Sequence, residues 1–358
     1  MVLICKIFFM CAGLWGAVSA ESTKVCEPHV ASTISVGYGS DNGSPVLSRK
    51  VKFGPFFFNQ CWFFSSGDLT GPRPVVVFLP GFGEDRPDVY SHLLVHLARK
   101  GYHVLFVHCA LNSFPSQYGS YRRIYRTVRH GVRKFSSFID TTRIGFVGHS
   151  FGAGAVPYVT KRCIEEENWC GNGSFQFLMA PFFTFAMTEE ELRSFPSDVS
   201  TVIQVYENDD VTDHRIARDL FLTLGVVDSL KNYLLVRSDT LGAGDCILQA
   251  DHALPCNELH EDGEINSMDT YAVFRVIDAL AEFGFTGNPA ACEIAPGNGS
   301  AEQAFMGTWK DGTPVKPMIV THDPPLPKPS EYSVFGWCHP WNPRRAVSSN
   351  FFPCAQDK

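Results

Sequence analysis

Chemistry begins at Gly148–His149–Ser150–Phe151–Gly152, a G-x-S-x-G run. A serine hydroxyl is a weak nucleophile until a neighbouring base takes its proton. The run gains meaning from its setting. A strand-like stretch, Arg143–Val147, leads into it, and a helical stretch from Phe151 to about Cys163 leaves it. In a strand–turn–helix of this kind the glycines permit a sharp turn. The turn holds the Ser150 hydroxyl out at the carboxyl edge of a sheet. The partners of such a serine follow in the order acid, then histidine. The strand-like Val202–Tyr206 runs straight into Glu207–Asn208–Asp209–Asp210, so Asp209 leads as the acid, with Asp210 its rival and Asp213 more distant. His252 sits in Gln249–Pro255, between the last strand and the last helix, and is the candidate base; His260 is the fallback. The acid would fix the tautomer of His252 and stabilise its protonated form. An oxyanion needs two backbone N–H groups aimed at it. Phe151, at the start of a helix, supplies one, and Phe82 in the loop Leu79–Gly83 is assigned the other.

Around these residues the chain is aromatic. Met179–Met187 reads MAPFFTFAM and follows the strand next to the nucleophile strand. Phe182, Phe183 and Phe185, with Phe82 and Phe151, are read as the wall of an apolar substrate pocket. His92 and His96 are spaced i, i+4 on a helix, but no glutamate completes a zinc motif. Glu207–Asp213 lacks the EF-hand pattern. There is no phosphate loop and no dinucleotide fingerprint. Neither a metal nor a cofactor is expected.

The elements that must hold this constellation are legible as patterns. Val75–Leu79 and His103–Val107 read as strands buried on both faces. Phe175–Met179 and Tyr233–Val236 complete the set with the strands before Ser150 and Asp209, and Phe53–Phe64 adds aromatic strands ahead of them. Asp88–Lys100, Tyr121–Phe138, Asp213–Leu224 and Met268–Phe283 show helical spacing. Thr188 and Glu191 form a capping box for a short helix over Thr188–Ser194. Pro157 falls inside the helix after Ser150, where it removes a hydrogen bond. A short β-like stretch covers Ser32–Val36. The alternation over roughly 75–284 predicts an α/β fold, a mostly parallel central sheet with helices on both faces. From Gly287 the texture changes. Phe305–Trp309 and Val315–Val320 flank a turn at Lys310–Thr313 and read as a hairpin, followed by a proline-rich stretch.

The chain has 358 residues with 12 cysteines and 30 phenylalanines; Lys+Arg is 30 against Asp+Glu 37. That balance speaks against a nucleic-acid partner. Met1–Ala20 has one cation, an apolar run and small residues at Val18 and Ala20, the form of a cleaved signal peptide. Removing it would leave ten cysteines in an oxidising compartment, enough for up to five disulfides. Cys163 with Cys170 and Cys246 with Cys256 are the local pairs expected. Asn42, Asn172 and Asn298 head glycosylation tripeptides. The reading is thus a signal peptide over 1–20, a main domain over 21–286 and a C-terminal extension over 287–358, stapled on by cysteines. The basic side of the helix Tyr121–Phe138, carrying Arg122, Arg123, Arg126, Arg129, Arg133 and Lys134, is read as a solvated face, with anionic lipid or polyanions as its alternative partner.

FLPGFG (78–83), HLARKGYHVLFVH (96–108), GFVGHSFGAGA (145–155), YENDD (206–210) and ADHALP (250–255) together resemble the α/β-hydrolase superfamily over roughly 50–285. They are most similar to its dienelactone-hydrolase-like group, with chlorophyllases, cutinase-like polyester hydrolases and secreted platelet-activating-factor acetylhydrolases. The resemblance puts the second oxyanion donor on Phe82 and the acid on Asp209. It implies a secreted serine esterase acting on small hydrophobic esters or lipids, in transient contact with a lipid surface. A peptidase, an acyltransferase or a binding protein on the same scaffold are the alternatives. The 287–358 extension has no counterpart in the resemblance.

Overall fold

The structure is a computed structural model that describes residues 34–54, 59–67, 71–84, 86–108, 117–242, 246–325, 333–346 and 354. The expected signal peptide lies outside these residues, as do Cys26 and Cys109.

Val75–Leu79 are all fully buried, because the strand that contains them, β3 (Arg73–Leu79), lies in mid-sheet. Val76 and Phe78 pack against the cluster built on α1 (Ser91–Arg99) and α6 (Arg275–Thr286). Val75, Val77 and Leu79 pack on the opposite side, against α2 (Gln117–Lys134), α3 (Phe151–Glu167) and α5 (His214–Thr223). A strand with apolar side chains on both faces is stable only between two helical layers. Each such side chain contributes about 1.5–3 kcal/mol by leaving water.

β3 pairs in parallel with β4 (His103–Val107) and β5 (Ile139–His149). The parallel set continues through β6 (Ser174–Met179), β7 (Ser200–Tyr206) and β8 (Lys231–Val236). On one side β1 (Val46–Phe53) and β2 (Asn59–Ser66) add antiparallel strands. Among the described residues the sheet has nine strands in the order β1-β2-β4-β3-β5-β6-β7-β8-β11, the last being Ile319–Thr321. The fold is therefore α/β with a mostly parallel central sheet. The carboxyl ends of β3, β5, β7 and β8 share one edge, so the loops that carry Phe82, Ser150, Asp209 and His252 converge there.

Local expectations hold in most places. Thr188 caps α4 (Glu189–Arg193) with the reciprocal Glu191 contact. α3 continues through Pro157 to Glu167, ending at Asn168 in a left-handed conformation. The final helix begins with a π-helical turn, Asp269–Phe274, before α6. His92 and His96 pair with Asp269 and Asp278, both at 3.0 Å, where α1 meets the final helix. Part of the basic face of α2 is also spoken for, since Arg129 and Arg133 each reach Glu167 at 2.7 Å.

Four expectations are corrected. Ile34–Val36, the described part of the early β-like stretch, forms no strand. The hairpin in the extension shrinks to a single bridge between Thr308 and Pro314. Its second arm instead supplies β11 (Ile319–Thr321), which pairs antiparallel with β8 at the edge of the main sheet. The unsatisfied edge of β8 offers more hydrogen bonds than a marginal two-stranded ribbon can. Neither the Cys163–Cys170 nor the Cys246–Cys256 bridge forms. Cys338 and Cys354 are joined instead, so the disulfide closes the extension on itself and does not staple it to the sheet. No helix among the described residues is long and apolar enough to cross a membrane.

Candidate active site

Ser150 stands between the last residue of β5 and the first of α3, with φ 51° and ψ −116°. An L-residue there is strained by about 1–3 kcal/mol and persists only when its surroundings hold it. Here they do. The Ser150 N–H donates to the Met179 carbonyl at 2.9 Å, and its carbonyl accepts from Gly154 and Phe182, both at 3.0 Å. The flanking glycines permit the approach. A Cβ on Gly152 would come within 2.0 Å of the Leu79 carbonyl oxygen, and one on Gly148 within 2.6 Å of the Ala153 nitrogen. The Ser150 side chain caps no helix N–H and faces a cavity of about 430 Å³.

Asp209 follows β7 in a tight turn and is 8% exposed. Its Oδ1 accepts from the Val211 and Thr212 N–H groups, both at 2.9 Å, and its Oδ2 from the Thr212 hydroxyl at 2.9 Å. Oδ2 also accepts from His252 Nδ1 at 2.9 Å. Burial alone would raise this carboxyl, but His252 and the Thr212 donors outweigh it, and the group lies below its usual 3.8. Asp209 is therefore a carboxylate that only accepts. His252 Nδ1 must carry the proton, and Nε2 is left as the basic atom on the cavity side. Asp210 is exposed and has no bond to His252. Asp213 caps α5 and binds Arg215. His260, at the rim, lies 3.9 Å from Glu84 and is not joined to either acid. The sequence left Asp209 and Asp210 open; the structure pairs His252 with Asp209.

The base loop is tied to the acid turn. β9 (Asp239–Leu241) and β10 (Cys246–Leu248) form a small hairpin between β8 and His252. The Asn208 N–H donates to the Ala250 carbonyl at 2.8 Å, and the Ala250 N–H to the Ser238 hydroxyl at 2.8 Å.

His149, the variable residue of the G-x-S-x-G run, joins three loops. Its Nε2 lies 2.9 Å from the His252 carbonyl oxygen, which can only accept, so Nε2 carries the hydrogen. Its Nδ1 then accepts from the Tyr90 hydroxyl at 2.8 Å, and the Tyr90 oxygen accepts from the Gly81 N–H at 3.1 Å. Burial, with His252 adding to it, holds the His149 pKa well below 6.5, so the ring is neutral. The chain Gly81–Tyr90–His149–His252 links the loops that carry Phe82, Ser150 and His252. No local pattern marks it: Tyr90 falls within the helical spacing of Asp88–Lys100, and His149 is a variable position of the G-x-S-x-G run.

Phe151 is the first residue of α3, and an N–H at that position has no intrahelical partner. Phe82 opens the turn closed by the Glu84 N–H on the Gly81 carbonyl, and its ring meets Phe151 edge-on at 6.3 Å. Phe82, Phe151, Phe182 and Phe185 line the cavity, as expected. Phe183 does not. It is fully buried, with its ring 4.4 Å from that of Phe182. Two residues that no local pattern marked, Phe335 and Trp341 from the C-terminal extension, take part in the wall. Glu84, Asn208, Asp251 and His260 also line the cavity and add polar groups to it. No hydrogen bond joins Ser150 to His252, a gap that active sites commonly close when substrate binds.

Compared with protein-family models the chain matches none, and no curated protein matches it.

Proposed function

We propose that the protein is a secreted serine esterase of the α/β-hydrolase type that cleaves hydrophobic carboxylic esters through an acyl-enzyme. The observation that carries the reading is the Asp209–His252 hydrogen bond, closed at the same sheet edge where Ser150 is held at φ 51°. The chain order Ser150, Asp209, His252 and the strand–turn–helix around Ser150 support it. The aromatic wall supports an apolar acyl group. The Cys338–Cys354 disulfide is compatible with export.

In this reading Ser150 Oγ attacks the ester carbonyl while His252 Nε2 takes its proton. The Phe151 and Phe82 N–H groups receive the charge that develops on the carbonyl oxygen. Donors so placed are worth about 3–4 kcal/mol each. The intermediate collapses, the C–O bond to the alcohol breaks, and His252 returns its proton to the leaving oxygen. Water, deprotonated by His252, then attacks the acyl-serine. The acid leaves and Ser150 regains its hydrogen. Asp209 stays ionised and stabilises the imidazolium throughout.

Aryl esters with acyl chains from two to twelve carbons test the activity. A burst of aryl alcohol equal to the enzyme concentration, followed by slower turnover, is expected. Absence of both burst and turnover across the series would refute the esterase reading.

The Tyr90 chain gives a second measurement. Tyr90→Phe leaves the buried Gly81 N–H and His149 Nδ1 without partners, a cost of about 1–3 kcal/mol per group. A fall of roughly tenfold in kcat with KM unchanged is expected, because the loss falls on alignment of the catalytic loops. An unchanged kcat would show that packing alone holds them.

A further inference from the structure

We propose that the C-terminal segment 333–346 forms the distal wall of the acyl pocket, and that Phe335 and Trp341 set the longest acyl chain the enzyme accepts. The inference rests on the esterase reading and assigns the specificity of that same site to a part of the chain outside the resemblance.

Three observations carry it. First, Phe335 and Trp341 line the same cavity as Ser150, Phe151, Phe182 and Phe185. Their rings continue the aromatic wall: Phe335 meets Phe182 edge-on at 4.7 Å and stacks on Trp341 at 6.1 Å. An acyl chain that starts at Ser150 and follows Phe151, Phe182 and Phe185 therefore ends against the extension.

Second, the segment is bound to the acid turn by backbone. The Val334 N–H donates to the Asp210 carbonyl and the Phe335 N–H to the Val211 carbonyl, both at 2.8 Å. The Asp213 N–H returns a bond to the Phe335 carbonyl at 3.2 Å, and the Trp337 N–H reaches Asp213 Oδ2 at 3.0 Å. The wall is thus registered against the residues that directly follow Asp209.

Third, the segment is anchored behind the wall. Trp337 is 2% exposed. Arg344 is buried and grips Asp219 with Nε and Nη2 and also reaches the Thr223 hydroxyl at 3.1 Å. The Asn342 side chain donates to the Trp337 carbonyl at 2.7 Å, and Cys338 in the same segment is joined to Cys354 by a disulfide. A wall fixed at several points sets a length limit; a loose flap would not. Trp341, 37% exposed, can be truncated without opening the core, whereas Phe335 is more enclosed.

The test is the ratio of kcat/KM for a twelve-carbon acyl ester to that for a four-carbon one, in wild type, Trp341→Ala and Phe335→Leu. Each methylene accommodated or excluded is worth about 10-fold or more. The ratio is expected to rise at least tenfold in Trp341→Ala, and in the same direction in the milder Phe335→Leu. An unchanged ratio, or an equal loss at all chain lengths in both variants, overturns the proposal and leaves the extension a purely structural brace. Labelling of Ser150 by a small fluorophosphonate is followed in parallel. Labelled wild type with an unchanged ratio defeats this inference alone. Unlabelled wild type defeats the esterase reading beneath it.

Discussion

Ser150→Ala lowers ester turnover by on the order of 10⁶-fold while the protein stays folded. The size follows from the unity of the machinery. Without Oγ there is no acyl-enzyme, and His252 and the oxyanion donors can offer only slow general-base hydrolysis. The fold survives because the Ser150 side chain caps no helix N–H, and the bonds that hold the turn come from its backbone. Alanine keeps the strain of φ 51°; glycine does not. Ser150→Gly should therefore be equally inactive yet more stable than Ser150→Ala by about 1 kcal/mol, because glycine adopts positive φ without a Cβ clash. Thermal melts of the two variants beside a turnover assay check both halves. Residual activity within tenfold of wild type in either variant would remove Ser150 from the mechanism.

Asp209→Asn costs about 10⁴-fold in kcat, and Asp210→Asn less than about threefold. The first change is nearly isosteric. The Val211 and Thr212 N–H groups can still find the amide oxygen, so the turn persists. The amide nitrogen, however, is a donor facing His252 Nδ1. It favours the tautomer with the proton on Nε2, which cannot accept from Ser150. It also removes the charge that stabilises the imidazolium. Asp210 is exposed, and the link it makes to Val334 runs through its main-chain carbonyl, which the substitution leaves in place. Equal losses in the two variants would contradict the pairing seen between Asp209 and His252. The depressed pKa of Asp209 also carries a sign for stability. Because its folded value lies below its unfolded one, its contribution is present above about pH 3.8. It disappears as the pH falls through the lower folded value.

Much of this arrangement was legible from residue order. The strand before Ser150 and the two-faced apolar runs at 75–79 and 103–107 carry their burial in their composition. His252 could be chosen because the loop after the last parallel strand lies at the edge where Ser150 stands and follows the acid in chain order. Asp209 and Asp210 could not be separated, because which of two adjacent carboxylates turns inward depends on donors supplied by Val211, Thr212 and His252 together. Phe183 was misjudged for a related reason: in a run of phenylalanines the facing is set by backbone direction, not by side-chain type. The extension was least readable. β11 forms because β8 offers an open edge, and Phe335 and Trp341 reach the cavity through bonds to residues more than a hundred positions earlier. Non-local pairing of that kind leaves no period in the sequence. Cys163 and Cys170 show the same limit, since closeness along the chain does not supply the geometry a disulfide needs.

The most direct test of the central claim is the site of covalent capture. The wild-type protein is treated with a fluorophosphonate, digested, and the adduct located by mass spectrometry. The account predicts one stoichiometric adduct on Ser150, formed at least a thousandfold more slowly in His252→Ala. No adduct, or an adduct on another residue that persists in Ser150→Ala, would contradict it.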